Sequence, residues 1–260
     1  MAMIALGWLV AIPALAQDEP RFCPNQPSLE SSACTTEPGR VHLEVTGVDW
    51  ELDRSGGSRS DTIVLGDLLV RAGIGRATEF QFGWSPYGHV RERDASRVER
   101  RSRVGDIRLA VRHAFAGADG TGLSYGIEPF VTVPVGRMPV GAGTWGAGVV
   151  LPITYDLTDT VAIGFTGELD AQPDEDGAGR HVSTNGVAGV TVEVAKSLTL
   201  TLEAQVRRDE DPAGATTQGS LATGLLWTFA SRRAFYVEAI SGLNRNTPDL
   251  RLYAGSAFLF

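Results

Sequence analysis

DLRLYAGSAFLF, residues 249–260, ends the chain on an aromatic ring. Leu250, Leu252, Ala254, Ser256, Phe258 and Phe260 fall on one side of an extended chain, and Arg251, Tyr253, Gly255, Ala257 and Leu259 on the other. A period of two marks a strand rather than a helix. A terminal strand ending Phe-Leu-Phe needs an apolar receiver for its rings, because a frayed end in water offers them none. Two receivers fit: the hydrocarbon of a bilayer, or the second sheet of a soluble β-sandwich.

The preceding residues repeat the same alternation. From residue 41 onward the chain divides into twelve such segments, at 41–52, 61–74, 77–85, 103–115, 123–135, 146–157, 160–171, 181–194, 198–207, 217–228, 233–243 and the terminal strand. In the fourth, Ile107, Leu109, Val111 and Phe115 oppose Asp106, Arg108 and Arg112; in the ninth, Leu198, Leu200, Leu202 and Val206 oppose Glu203, Gln205 and Arg207. In the first, VHLEVTGVDWEL, the phase slips at Gly47-Val48, as a β-bulge makes it slip. The better-defined segments each have one face free of charge. Connections alternate too. Those at 75–76, 116–122, 158–159, 195–197 and 229–232 are mostly short, whereas those at 53–60, 86–102, 136–145, 172–180, 208–216 and 244–248 are mostly longer and polar. An even strand count with short turns at one end and long loops at the other is the pattern of an outer-membrane barrel. The expected fold is therefore all-β, an antiparallel transmembrane β-barrel of about 12 strands with short periplasmic turns and longer extracellular loops, occupying residues 41–260. In hydrocarbon every backbone N–H and C=O must be paired, so the sheet has to close, last strand on first.

Composition agrees with one such domain. Hydrophobic residues make up 43% of the 260, and no apolar run reaches the ~18 residues of a membrane helix. With 31 acidic against 23 basic residues the net charge is −8, which argues against a nucleic-acid partner. Residues 1–16, MAMIALGWLVAIPALA, read as a secretory signal peptide ending in an A-x-A site, although the usual basic n-region is missing. Residues 17–40 follow as a periplasmic N-terminal segment carrying both cysteines, Cys23 and Cys34, which an oxidising compartment is expected to join. No C-x-x-C motif and no histidine at ligand spacing accompanies them, so no metal and no cofactor is expected.

The final strand resembles the C-terminal signature that the barrel-insertion machinery of bacterial outer membranes reads. PGRVHLEVTG (38–47), GDLLVRAGIGRATEFQFGWSPY (66–87), VGDIRLAVRHAF (104–115), VTVPVG (131–136), LPITYDLTDTVAIG (151–164) and the closing NRNTPDLRLYAGSAFLF resemble outer-membrane transporters named for the phenol meta-degradation pathway. The similarity runs in order through nearly the whole mature chain and leaves the Cys23/Cys34 segment outside it. It implies an outer-membrane barrel that passes small, often aromatic, molecules, and brings no catalytic motif.

On the barrel reading the charged faces turn inward. The candidate lumen residues are Asp67, Arg71, Glu79, Asp106, Arg108, Arg112, Glu128, Asp156, Glu168, Glu193, Glu203 and Arg207, whose mixed signs suggest cross-strand ion pairs. Trp84, Phe115, Tyr155, Trp227, Phe258 and Phe260 are candidates for the interfacial aromatic girdles. Residues 91–103, RERDASRVERRSR, read as a solvated extracellular loop suited to lipopolysaccharide with divalent ions, and the Gly-rich stretch 140–148 as a flexible loop. None of His42, His89, His113 and His181 sits in a nucleophile motif, so no enzyme is expected. The expected function is passage of small, aromatic or hydrophobic molecules across the outer membrane. The alternatives are a non-conducting structural or adhesive barrel and a soluble secreted sandwich that binds a ligand. The expected partners are outer-membrane lipid and lipopolysaccharide, the insertion machinery and a small-molecule solute.

Overall fold

The computed structural model describes residues 21–177 and 179–260, so the signal peptide expected at residues 1–16 lies outside the described residues. One antiparallel sheet contains every strand: β1 (Val41–Ser55), β2 (Ser58–Gly75), β3 (Thr78–Trp84), β4 (Tyr87–Arg93), β5 (Val98–Arg103), β6 (Ile107–Ala116), β7 (Leu123–Val133), β8 (Gly146–Thr158), β9 (Val161–Pro173), β10 (Arg180–Ala195), β11 (Leu198–Asp209), β12 (Thr216–Ala230), β13 (Arg233–Gly242) and β14 (Leu250–Leu259). β14 pairs with β1 from His42↔Leu259 to Leu52↔Leu250, and β1 pairs in turn with β2, so the sheet closes. Closure removes both edges, the condition a β structure must meet in hydrocarbon.

Fourteen strands make twelve wall positions. β3 pairs with one end of β2 and β4 with the other, while β6 pairs with β3 and β5 with β4, so β3/β4 and β5/β6 are each one interrupted strand. The interruptions lie side by side at Ser85-Pro86 and residues 104–106, bridged by the Gly105 N–H donating to the Ser85 carbonyl at 2.7 Å. Pro86 has no N–H to give the ladder. β2 bends at the same level, with Gly66 at φ 69° facing the Pro86 ring.

Residues 86–102, expected as a long loop, are thus mostly the β4–β5 hairpin. The physical reason is that β2 runs on to Ser58 and offers its backbone as a template for β4, whose Gly88 and Val90 are buried on one face while its end and most of β5 are exposed. The connection at 53–60 is corrected likewise: β1 and β2 continue to a two-residue turn of Gly56 and Gly57, with φ 58° and 86°, the left-handed pair such a hairpin requires. The slip in β1 lies where the phase of the sequence puts it, between Thr46 and Val48.

Burial is inverted relative to a water-soluble domain. The largest fully buried side chains include Arg71, Arg112, His42, Gln81, Glu44 and Glu79, while Val111, Leu151, Phe165, Val190, Leu202 and Val237 are exposed. A sandwich buries its apolar face against a second sheet, and here there is one sheet, closed on itself, with its charge inside. This arrangement rules out the sandwich.

Of the girdle candidates, Phe115, Tyr155, Trp227 and Phe260 are exposed and Phe258 partly so, all near the short-turn end. They join neighbouring rings there: Phe115 packs on His113 and Tyr125, Trp227 on Phe229 and Phe235, and Phe258 on Phe260. Trp84 is the exception. It ends β3 at the Ser85-Pro86 break, half-buried, with its indole N–H buried and unpartnered.

Candidate functional site

The segment expected as a periplasmic tail lies inside the barrel, as its contacts with strands all around the wall show. At the short-turn end Arg21 donates to the carbonyl of Ala118 at 2.5 Å and to that of Arg76 at 3.3 Å, and pairs with Glu37 at 3.5 Å. Asn25 and Gln26 then reach β1, Pro27 touches Gly224 of β12, residues 28–30 meet Glu203 of β11, and Ser31 meets Thr166 of β9. The chain returns past β6 and β3 to Thr35, whose N–H donates to Ala118, back where it entered. Only a loop folded up into the lumen touches β1, β3, β6, β9, β11 and β12 within so few residues. Cys23 and Cys34 close its neck as a disulfide, with Cα atoms 6.4 Å apart.

Wall carboxylates hold this loop by its backbone. The Glu203 carboxylate accepts from the N–H groups of Leu29 and Glu30, both at 2.9 Å, and from Ser28 Oγ at 2.5 Å. Glu44 accepts from the N–H groups of Asn25 and Gln26, each at 2.9 Å, and Glu79 from Thr36 N–H and Oγ1, both at 2.7 Å. A loop without secondary structure needs partners for its buried N–H groups, and ionised acceptors make the strongest ones.

Two arginines lock the neck. Arg71 donates through Nη1 to the Cys23 carbonyl at 2.7 Å, through Nη2 to the Cys34 carbonyl at 2.9 Å, and through Nε to Glu79 at 2.9 Å. Arg112 donates to Glu128 at 2.7 Å, Ser31 Oγ at 2.9 Å and Asn25 Oδ1 at 3.1 Å. Glu128 also accepts from Arg108 at 2.7 Å and Gln81 at 2.9 Å. Arg71, Arg108 and Arg112 thus face Glu44, Glu79 and Glu128, a charge-balanced set in which each lost partner leaves a buried ion. Phe22 and Leu29 pack on the cluster of Tyr236, Tyr253, Ile240, Ala222 and Ala257, and Tyr253 donates to Gln26 Oε1 at 2.6 Å. Gly224 makes room for the loop, since a Cβ there would come 3.0 Å from Pro27 Cγ.

Beyond the loop, toward the long-loop end, lies a cavity of about 330 Å³. Its floor is Asn25, Gln26, Leu29 and Ser31, and its walls include Leu69, Trp84, Gln81, Arg108, Glu128, Val150 and Glu168. Asp67 accepts from Ser85 Oγ at 2.5 Å, at the wall break. Asp106 accepts the N–H groups of Gly136 at 2.7 Å and Gly143 at 3.0 Å, pinning the β7–β8 connection. Arg108 lies 4.1 Å over the Phe130 ring. Glu168 accepts from Asn185 and Arg207 donates to Ser183, both at 3.2 Å.

The sequence candidates therefore fall into three tiers. Arg71, Glu79, Arg112, Glu128 and Glu203 grip the loop; Asp67, Asp106, Arg108, Glu168 and Arg207 lie beyond it; Asp156 and the exposed Glu193 sit at the short-turn rim, where Asp156 accepts from the Gly122 N–H at 2.7 Å. Sequence reasoning missed Glu44, His42, Thr46, Glu238 and Tyr253. A signal was present for the first three, because His42, Glu44 and Thr46 are the polar alternates of VHLEVT. The hydroxyl–imidazole pairs of the chain, Thr36–His42, Thr78–His113 and Ser102–His89, have no carboxylate on the far ring nitrogen among the described residues, as a nucleophile–base pair requires.

Residues 46–258 match the family model described as "Putative MetA-pathway of phenol degradation". The chain belongs to this family. Among solved structures, the phenol-degradation family barrel described here is similar to an outer membrane channel from Pseudomonas putida F1, at 14% identity and TM-score 0.69, covering 90% of this chain and 100% of that one. It is also similar to the translocator domain of the autotransporter NalP from Neisseria meningitidis, at 16% identity and TM-score 0.51, covering 86% and 90%. No curated protein matches the chain. At these identities the likeness is one of fold: the family member is an outer-membrane β-barrel of twelve wall positions.

Proposed function

We propose that this barrel is an outer-membrane channel for small apolar or aromatic molecules, with residues 21–37 as an internal plug that prevents free diffusion. The observation that carries the reading is the cavity of about 330 Å³ between the plug and the long-loop mouth. It falls within the ~300–1,000 Å³ of small-molecule sites and mixes apolar lining from Leu29, Leu69 and Val150 with a few polar groups from Arg108, Gln81 and the free indole N–H of Trp84. The solved relative from P. putida is itself described as an outer membrane channel. An aromatic molecule with one polar end suits that lining. The exposed arginines of β4 and β5, among them Arg93, Arg100, Arg101 and Arg103, would meet lipopolysaccharide phosphates, and the β14 terminus would be read by the insertion machinery.

The test compares the intact protein with a variant lacking residues 21–37 in reconstituted vesicles. The intact channel is expected to pass small aromatic solutes while excluding sugars, and the deletion to raise sugar flux at least tenfold. Equal impermeability of both forms to every solute would favour the non-conducting structural barrel.

A further inference from the structure

A cluster at the long-loop rim has no part in gripping the plug. Asp174 follows β9, His181 lies at the start of β10, Asp209 ends β11 and Asp211 lies in the β11–β12 connection. His181 Nδ1 is 3.0 Å from an Asp174 oxygen and 3.4 Å from an Asp211 oxygen, and Nε2 is 2.8 Å from Asp209. The imidazole is buried, its side chain only 6% exposed; Nδ1 is hydrogen-bonded to Asp174, and Nε2 has no hydrogen bond of proper geometry. Among the described residues no Lys or Arg forms an ion pair with these three carboxylates, so at least two negative charges stay uncompensated around one ring.

The carboxylates are also held in place. Asp211 accepts the Ala213 N–H at 2.7 Å through one oxygen and the Glu175 N–H at 2.8 Å through the other. One oxygen from Asp174, Nδ1 of His181 and one oxygen from Asp211 all lie within 4.8 Å of one another. Tetrahedral zinc, with bonds of ~2.0–2.1 Å, sets its ligands about 3.3 Å apart. The two measured separations from Nδ1 bracket that value.

We propose that Asp174, His181 through Nδ1, and Asp211 bind one divalent transition-metal ion of the zinc type, with Asp209, 2.8 Å from Nε2, placed to accept the Nε2–H once Nδ1 ligates the ion. Water completes the coordination. An imidazole nitrogen selects such ions over magnesium and calcium, which favour all-oxygen sites. A carboxylate behind the ring favours the Nε2–H tautomer, so the ion would take the place of the proton that Nδ1 now shares with Asp174. The ion would staple the β9–β10 connection to the β11–β12 connection at the channel mouth.

The test is calorimetric titration of zinc into the untagged, detergent-solubilised full barrel in excess magnesium. One site per chain is expected. His181→Ala and the double variant Asp174→Asn/Asp211→Asn should each weaken binding at least tenfold, Asp209→Asn about tenfold, and His89→Ala not at all. Heat-modifiable gel mobility identifies folded samples, and if His181→Ala does not fold, the double variant decides. Absence of zinc binding by the folded protein, displacement by magnesium, or binding that the double variant leaves unchanged would each overturn the proposal.

Discussion

Glu203 carries three hydrogen bonds from the plug on one carboxylate, two of them from backbone N–H groups, of which that of Glu30 also reaches Ser28 Oγ at 2.9 Å. Glu203→Gln keeps the volume but removes the charge and turns one acceptor into a donor, at a cost of roughly 1.5–3 kcal/mol. The expected readout is faster amide exchange at Leu29 and Glu30 with the wall strands unchanged. Arg71 is the more severe position. Arg71→Met leaves Glu44 and Glu79 buried and short of their cation, a loss of about 3–5 kcal/mol, which should appear as a lower denaturant midpoint. Both residues belong to the face that alternation assigns to the lumen. Their partners were not legible, because a period of two tells which way a side chain points and nothing about what fills the space it points into.

At the scale of the element, the plug depends on its neck. The Cys23–Cys34 bond closes a loop of sequence separation 11, and loop-closure entropy makes a link of that size worth about 3 kcal/mol. The Cys23→Ser/Cys34→Ser barrel is expected to stay folded, since none of the wall ladders passes through the segment, while protease added from the short-turn side cuts within residues 24–33. Equal resistance of the two forms would show that Arg71 and Glu203 suffice. The β4–β5 hairpin belongs to a different category. A tilted membrane strand needs ~9–11 residues, and β2 has 18, so the hairpin paired to its far end lies in water. Replacing residues 88–102 by a short turn should leave outer-membrane recovery and heat-modifiable mobility intact. Reading 86–102 as a loop failed because charge on both faces of a segment erases the alternation signal, although the backbone was free to pair with an extended β2.

For the whole molecule, the inversion of burial predicts opposite responses on the two faces. Leu202→Arg on the outer face of β11 should cost roughly 2–4 kcal/mol if near the bilayer midplane and lower the folded fraction recovered in membranes. Glu168→Gln, beside the cavity, should leave assembly unchanged. Equal tolerance of both would contradict a lipid-facing exterior. By itself the sequence determined the barrel: the terminal strand, the charge-free faces and the alternation of short and long connections specify a closed sheet, because strand periodicity and the need to pair every backbone group in hydrocarbon are local rules that each segment obeys on its own. Only the tertiary structure decided that the lumen is plugged and what gathers at its mouth. The residues that meet there, Ser28 with Glu203, Cys34 with Arg71, and Asp174 with His181 and Asp211, come from segments whose juxtaposition depends on closure of the whole cylinder and on the shape of the space it encloses.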